Sequence, residues 1–351
     1  WGTHHKADED ESVGTVTVVT SGAEGNQTVT FSLNDTNYTG TVSDNSSPVT
    51  VSDTGLHSLT DGNSYTLTTN VSDNASNAAT VNTGTSFTYD ITAPTISGGV
   101  AITSVTGIQN NLLNAGDNVS ATVTFSEVVN KTGTPQLTLA VGDDNQTATY
   151  ASGTGNAPLV FTYTIQAGDN DTDGISIGAN ALALNNGTIS DLAGNNATLT
   201  HNAVSSNNRF MVDTEAPRVD NFTIDDALLT IGDNATVDLE FSEAVSLFAA
   251  ADITAPNGSL PSMSSSDSGI NWTGTVKPNV DTEVANNTLS LCINSYTDRA
   301  GNNGPAETTS NYEVETLATS GTFSFTDYLF ESGDTATVTL VFNEVVVDFS
   351  S

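Results

Sequence analysis

One short phrase returns along this chain, and its recurrence constrains the architecture before any single residue does. Gly116-Asp117-Asn118 leads to Phe125-Ser126-Glu127, and Gly232-Asp233-Asn234 leads to Phe241-Ser242-Glu243. Gly333-Asp334-Thr335 leads in the same way to Phe342-Asn343-Glu344, the phenylalanine standing nine residues after the glycine each time. A second phrase, Asp191-Leu192-Ala193-Gly194-Asn195, recurs as Asp298-Arg299-Ala300-Gly301-Asn302 and, more loosely, as Asp73-Asn74-Ala75-Ser76-Asn77. Repetition on this scale marks a row of similar modules.

Between the landmarks the residues alternate. Val119, Ala121, Val123 and Phe125 share one parity, with Ser120, Thr122 and Thr124 on the other. Ala235, Val237, Leu239 and Phe241 repeat the pattern, as do Ala336, Val338, Leu340 and Phe342, and an earlier copy runs through Val29, Phe31 and Leu33. A period of two, rich in Thr, Val and Phe, is that of a half-buried antiparallel strand. Short strands between Gly, Asn, Asp and Ser clusters, without a helical stripe, predict an all-β chain of immunoglobulin-like sandwiches in tandem, an extended array.

Proline marks the joints, because it cannot donate to a sheet ladder. Phe87-Thr88-Tyr89-Asp90 runs into Ile91-Thr92-Ala93-Pro94, and Phe210-Met211-Val212-Asp213 into Thr214-Glu215-Ala216-Pro217; Tyr312-Glu313-Val314-Glu315 is a third exit without the Ala-Pro. The expected division is an acidic segment at 1–12 and modules at 13–91, 92–214 (the longest) and 215–315. An incomplete fourth repeat follows at 316–351.

Charge narrows the partners. Lys and Arg total 6 against 41 Asp and Glu, a formal charge of -35 over 351 residues. A nucleic-acid partner is excluded, since phosphate binding runs on Lys and Arg. Anionic membrane surfaces are disfavoured for the same reason, and no apolar run reaches the roughly 20 residues of a membrane helix. Metal cations are the partners such a surface implies. The lone cysteine, Cys292, excludes an internal disulfide, and its setting between Leu291 and Ile293 reads as a small buried apolar position.

The Phe-Ser-Glu strand ends, the Asp-x-Ala-Gly-Asn loops and the Asp-Thr-x-Ala-Pro exits resemble the tandem immunoglobulin-like domains of giant bacterial surface adhesins. The resemblance covers nearly the whole chain and is loosest in the first module, where Asn34-Asp35 replaces the Glu and Ser76 the Gly. It implies a non-catalytic stalk at the cell surface, stiffened by Ca²⁺ between domains.

Sandwich topology places the Phe-Ser-Glu end and the Asp-x-Ala-Gly-Asn loop at the pole where the chain enters a module. The Asp that closes one module then lands beside the acids of the next. Asp90 should meet Glu127 and Asp191 with Asn195 nearby; Asp213 should meet Glu243 and Asp298 with Asn302 nearby; Glu315 could face Glu344. Oxygen ligands from separate loops suit Ca²⁺. The bland alternative is that these acids cap turns. A second candidate is Asp169-Asn170-Asp171-Thr172-Asp173-Gly174, which begins like an EF-hand loop. Asn180 stands where the twelfth-position Glu belongs, so the choice lies between a lone calcium loop through Asp169, Asp171 and Asp173 and an ordinary acidic turn.

No Gly-x-Ser-x-Gly elbow, His-Glu-x-x-His pair or phosphate loop occurs, so no catalysis is expected. Trp272 reads as core and Met263 as a loop residue. The fourth repeat has about two strands, too few to stand alone in water. A longer array, disorder of the remainder, or strand addition to a neighbouring subunit would each account for it; the last would bury Leu340, Phe342 and Val346 against another chain. The leading expectation is a calcium-stiffened adhesin stalk, with cell-surface glycans or proteins and its own neighbouring repeats as partners. The alternative is the subunit of a surface layer, sheath or fibre.

Overall fold

The computed structural model of the protein describes residues 4–5, 13–326, 329 and 331–347. The acidic residues 8–11 lie outside them. The chain divides after Asp213 into two compact units.

The alternation of the sequence becomes burial. In the strand Asn118–Lys131 the side chains of Val119, Ala121, Val123 and Phe125 are buried while their neighbours face outward. Ala235–Phe241 shows the same period, each odd-numbered residue buried. Thr28–Leu33 buries Val29, Phe31 and Leu33. β-Branched and aromatic residues fit a pleated surface with one wet and one dry face, which is why these segments extend rather than coil.

Within the first unit, one sheet runs in the order His4–His5, Asn82–Tyr89, Ser64–Val71, Thr28–Leu33 and Thr36–Thr41. A second, of Gly14–Val19 and Ser46–Val51, completes a core around Phe31, Leu33, Val49, Leu56, Phe87 and Tyr89. Leu56 comes from a one-turn helix, Asp53–Leu56, which the strand pattern did not foretell; Ser52 caps it by accepting the Gly55 N–H. The same unit holds a second core, about Phe125, Leu137, Leu139, Leu159, Phe161 and Ile177. There Asn118–Lys131 pairs with Asn156–Thr164 on one side and Gly99–Thr106 on the other.

The second unit has a core rich in rings. Phe241 lies 4.8 Å from Tyr296 and Phe248 4.8 Å from Trp272, centroid to centroid. Trp272 is therefore a packing residue, and its indole N–H donates to the Gly269 carbonyl at 3.0 Å. Met263 is not in a loop: it belongs to the strand Met263–Ser265 and packs half-buried against this core. Cys292 is exposed, contrary to the buried position its neighbours suggested. The short strand Ser290–Leu291 ends before it, and Leu291 is the residue that turns inward.

The Gly-Asp phrase proves to be a turn signature. Gly116, Gly232 and Gly333 have φ of +99°, +91° and +104°, open to glycine at little cost. The following aspartates accept backbone N–H groups from three residues back: Asn114 to Asp117 at 2.9 Å, Thr230 to Asp233 at 2.9 Å and Glu331 to Asp334 at 2.7 Å. In the fourth repeat Gly321–Phe325 and Val338–Phe342 form an antiparallel pair that joins none of the three cores. Phe323 stays 64% exposed and Leu340 37% exposed, as two strands without a covering layer must.

Candidate metal centre

The site at the entry to the second core is built from three separate pieces of chain. Asp90 follows the strand Asn82–Tyr89 of the first core. Glu127 lies within Asn118–Lys131, where pairing with Asn156–Thr164 breaks register between Thr124 and Val129. The expectation that Phe-Ser-Glu ends the strand holds at Phe241 but not here. The strand runs on past Glu127, and beyond the irregularity its residues Asn130 and Lys131 pair with Ile189–Ser190. The break frees the local backbone from that ladder, while Glu127 keeps the inward parity, half-buried between Phe125 and Val129.

Asp191 sits in a loop whose hydrogen bonds explain why its phrase recurs. Its Oδ1 accepts the N–H of Gly194 at 2.6 Å and of Asn195 at 2.9 Å, and its Oδ2 accepts from Asn195 Nδ2 at 2.8 Å. Asp298 does the same with Ala300, Gly301 and Asn302, and Asp73 with Ala75 and Asn77. The fourth position needs a left-handed backbone: Gly194 has φ +100°, Gly301 +94°, and Ser76 accepts +70° in the loosest copy.

One carboxylate oxygen each of Asp90, Glu127 and Asp191 lie within 4.8 Å of one another. Asp191 is buried; the other two are half-buried. Burial raises the Glu127 carboxyl above its ordinary value, and the negative charges of Asp90, Asp191 and Asp61 raise it further. Three carboxylates in such reach repel one another unless a proton or a cation intervenes. The donors are all hard oxygens with no sulfur or imidazole, a set that fits Ca²⁺ or Mg²⁺ and not a soft metal.

The two expected asparagines are engaged as donors. Asn195 turns its amide nitrogen, not its oxygen, inward, donating to the Asp90 carbonyl at 2.8 Å as well as to Asp191. It stitches the loop to the incoming chain. Asn302 does likewise, donating to the Glu215 carbonyl at 3.3 Å and to Asp298. Asp213 closes the first compact unit, whereas Glu243 and Asp298 belong to the second.

Asp169, Asp171 and Asp173 do not converge. Asp169 is buried, accepting from Tyr163 Oη at 2.6 Å, the Gln166 N–H at 2.8 Å and Gln146 Nε2 at 2.9 Å. Burial and this contact push the Tyr163 hydroxyl well above its ordinary range. Asp171 accepts the N–H groups of Asp173 and Gly174 in a turn, and Asp173 is exposed. Asn170–Asp171 pairs as a short strand with Met211–Asp213. Protein donors thus engage Asp169 and Asp171, as an ordinary acidic turn would have it.

Two groups escaped the sequence reading. Ser126 donates its N–H to the Thr95 carbonyl at 2.7 Å and its hydroxyl accepts the Thr95 N–H at 3.0 Å. Ser242 repeats this with Arg218, and Asn343 with Ser320. The middle residue of the Phe-Ser-Glu phrase thus docks the incoming chain, and the signal was the retention of an oxygen acceptor when Ser became Asn. The other group is Asp61, in the turn after Leu59, for which no repeat gave a hint. Among the described residues no helix is long and apolar enough to cross a membrane.

Comparison with known proteins adds the following. No curated protein matches the chain. A solved Ca²⁺-stabilized adhesin that helps an Antarctic bacterium reach out and bind ice is 20% identical with a TM-score of 0.45, over 89% of this chain and 71% of that one. A 1.5-MDa bacterial ice-binding adhesin is 16% identical with a TM-score of 0.43, over 90% of this chain and 95% of its own. A marsupial T cell receptor aligns at 11% identity and a TM-score of 0.25, over 82% of this chain and 93% of that one. The chain is all-β, and its residues 213–314 match the family of bacterial Ig-like domains.

Proposed function

We propose that this chain is a non-catalytic stretch of an extracellular, cell-surface adhesin. Its modules, divided at 91/92, 214/215 and 315/316, act as a stalk, and Ca²⁺ stiffens the junctions. The observation that carries the reading is the meeting of Asp90, Glu127 and Asp191, which come from separate segments of the chain. In it Asp90, Glu127 and Asp191 each supply a carboxylate oxygen, and water and carbonyl oxygens complete a shell of roughly six to eight. Bound Ca²⁺ supplies the positive charge that turns their repulsion into a tie between the end of the first core and the start of the second. The match of residues 213–314 to bacterial Ig-like domains and the acidic surface, which repels nucleic acid and anionic lipid, support the extracellular setting.

Extracellular modules of this kind bind Ca²⁺ at roughly 10⁻⁴ to 10⁻³ M. Calorimetric titration should show uptake in that range, lost in Glu127→Gln. Small-angle scattering should show a stiffer first unit with calcium than with chelator. Identical scattering curves in the two buffers would overturn the stiffening, and absence of any heat would overturn the site.

A further inference from the structure

Asp90, one of the three carboxylates in the centre, stands on the chain that joins the two cores of the first unit, between the last strand of the first core and Pro94. Something must hold that chain for its carboxylate to meet the other two. The turn Asp61–Asn63 does so from both sides. Before Asp90, the Gly62 N–H donates to the Tyr89 carbonyl at 2.8 Å and the Tyr89 N–H donates to the Asn63 carbonyl at 2.9 Å. After it, the Ile91 N–H donates to Asp61 Oδ1 at 2.8 Å and the Thr92 hydroxyl donates to Asp61 Oδ2. The residues on either side of Asp90 are thereby tied to one turn, which limits the torsions that aim its side chain.

We propose that the turn Asp61–Asn63 is a positioning element of the calcium centre, with Asp61 the residue that clamps the chain leaving Asp90. This rests on the calcium reading above. Asp61 works through Asp90: its oxygens accept from Ile91 and Thr92, and it is not among the three acids that meet. Burial raises its carboxyl, but the bonds from Thr92, Ile91 and Gly62 outweigh that and hold it below the ordinary value, so it stays ionised and a good acceptor.

Releasing the clamp leaves Asp90 to be ordered by the cation itself. Fixing one residue's backbone costs on the order of 1–2 kcal/mol. Asp61→Ala in the full chain should therefore weaken calorimetric Ca²⁺ affinity about five- to thirtyfold. Thr92→Val, which removes one donor without altering charge or size, should weaken it about twofold. Asp61→Asn keeps an acceptor for Ile91 and should fall between wild type and Asp61→Ala, with the same order at high salt. Hydrogen exchange at the Ile91 amide, followed without calcium, should be slow in the wild type and fast in Asp61→Ala. Wild-type affinity in Asp61→Ala, with Glu127→Gln still abolishing binding, would overturn the clamp and leave the centre intact. An Ile91 amide that exchanges equally fast in both proteins would overturn it too. No calcium uptake by the wild type would overturn clamp and centre together.

Discussion

The first unit contains two acidic groupings that look alike as sequence and behave oppositely as structure. Asp169, Asp171 and Asp173 crowd into five residues, yet Asp169 is enclosed by donors from Tyr163, Gln166 and Gln146 and Asp171 by two backbone amides. Asp90, Glu127 and Asp191 are scattered over more than a hundred residues, yet their oxygens meet within 4.8 Å. Neighbouring carboxylates in a turn are readily satisfied by that turn's own N–H groups. Asp191 too is held by its own loop, yet its oxygens also come within reach of Asp90 and Glu127. What sets the second grouping apart is that carboxylates from three segments meet.

The contrast can be broken most forcefully at Asp169. Asp169→Ala strands a buried tyrosine hydroxyl and a backbone amide, and should cost roughly 3 kcal/mol in denaturant unfolding. The loss should be the same in calcium and in chelator; a calcium-dependent loss would mean that this turn is a cation site after all. Calcium itself should come next. At roughly 10 mM it should stabilise the first unit by about 1.4 to 2.7 kcal/mol for a dissociation constant near 10⁻³ to 10⁻⁴ M. Thermal unfolding of wild type and Glu127→Gln, with and without calcium, checks this, and the gain should vanish in the variant.

A smaller effect of opposite sign is expected in chelator. The Glu127 carboxyl is raised above its ordinary 4.5 by burial and by Asp90, Asp191 and Asp61. The folded chain therefore keeps a proton that the unfolded chain has lost. Stability should fall as pH rises from 4.5 through the raised value, and Glu127→Gln should remove that slope. The gain from the variant in chelator should stay below about 1 kcal/mol, because the group is partly solvated. Smallest of all is the change at Asp267, an exposed acid held by local donors. Hydrogen bonds from the Asn271 side chain and amide and from Ser265 pull it down to about 2. Its depressed value means that its contribution is complete above 3.8 and fades as pH falls toward about 2, seen as faster exchange of the Asn271 amide in acid.

Much of this was legible from residues alone. The strand parity at Val119 to Phe125 and Ala235 to Phe241 was, because burial on one face imposes a period of two that survives any packing detail. The meeting of Asp90 with Glu127 and Asp191 followed from repeat order and sandwich topology. The orientation of Asn195 did not, since an amide can offer either oxygen or nitrogen and only its neighbours choose. Cys292 misled because a short strand ended one residue earlier than its apolar neighbours implied. The Asp61 turn was not foretold, because its bonds to Ile91 and Thr92 form only when distant segments meet.

The sequence by itself determined that the chain is β, that it repeats, and that acids recur at the ends of its repeats, for these are matters of period and spacing. Tertiary structure decided which donors each acid takes, as at Asp169 and Asp61. It alone could do so, because hydrogen-bond saturation depends on groups that approach through space from elsewhere in the chain.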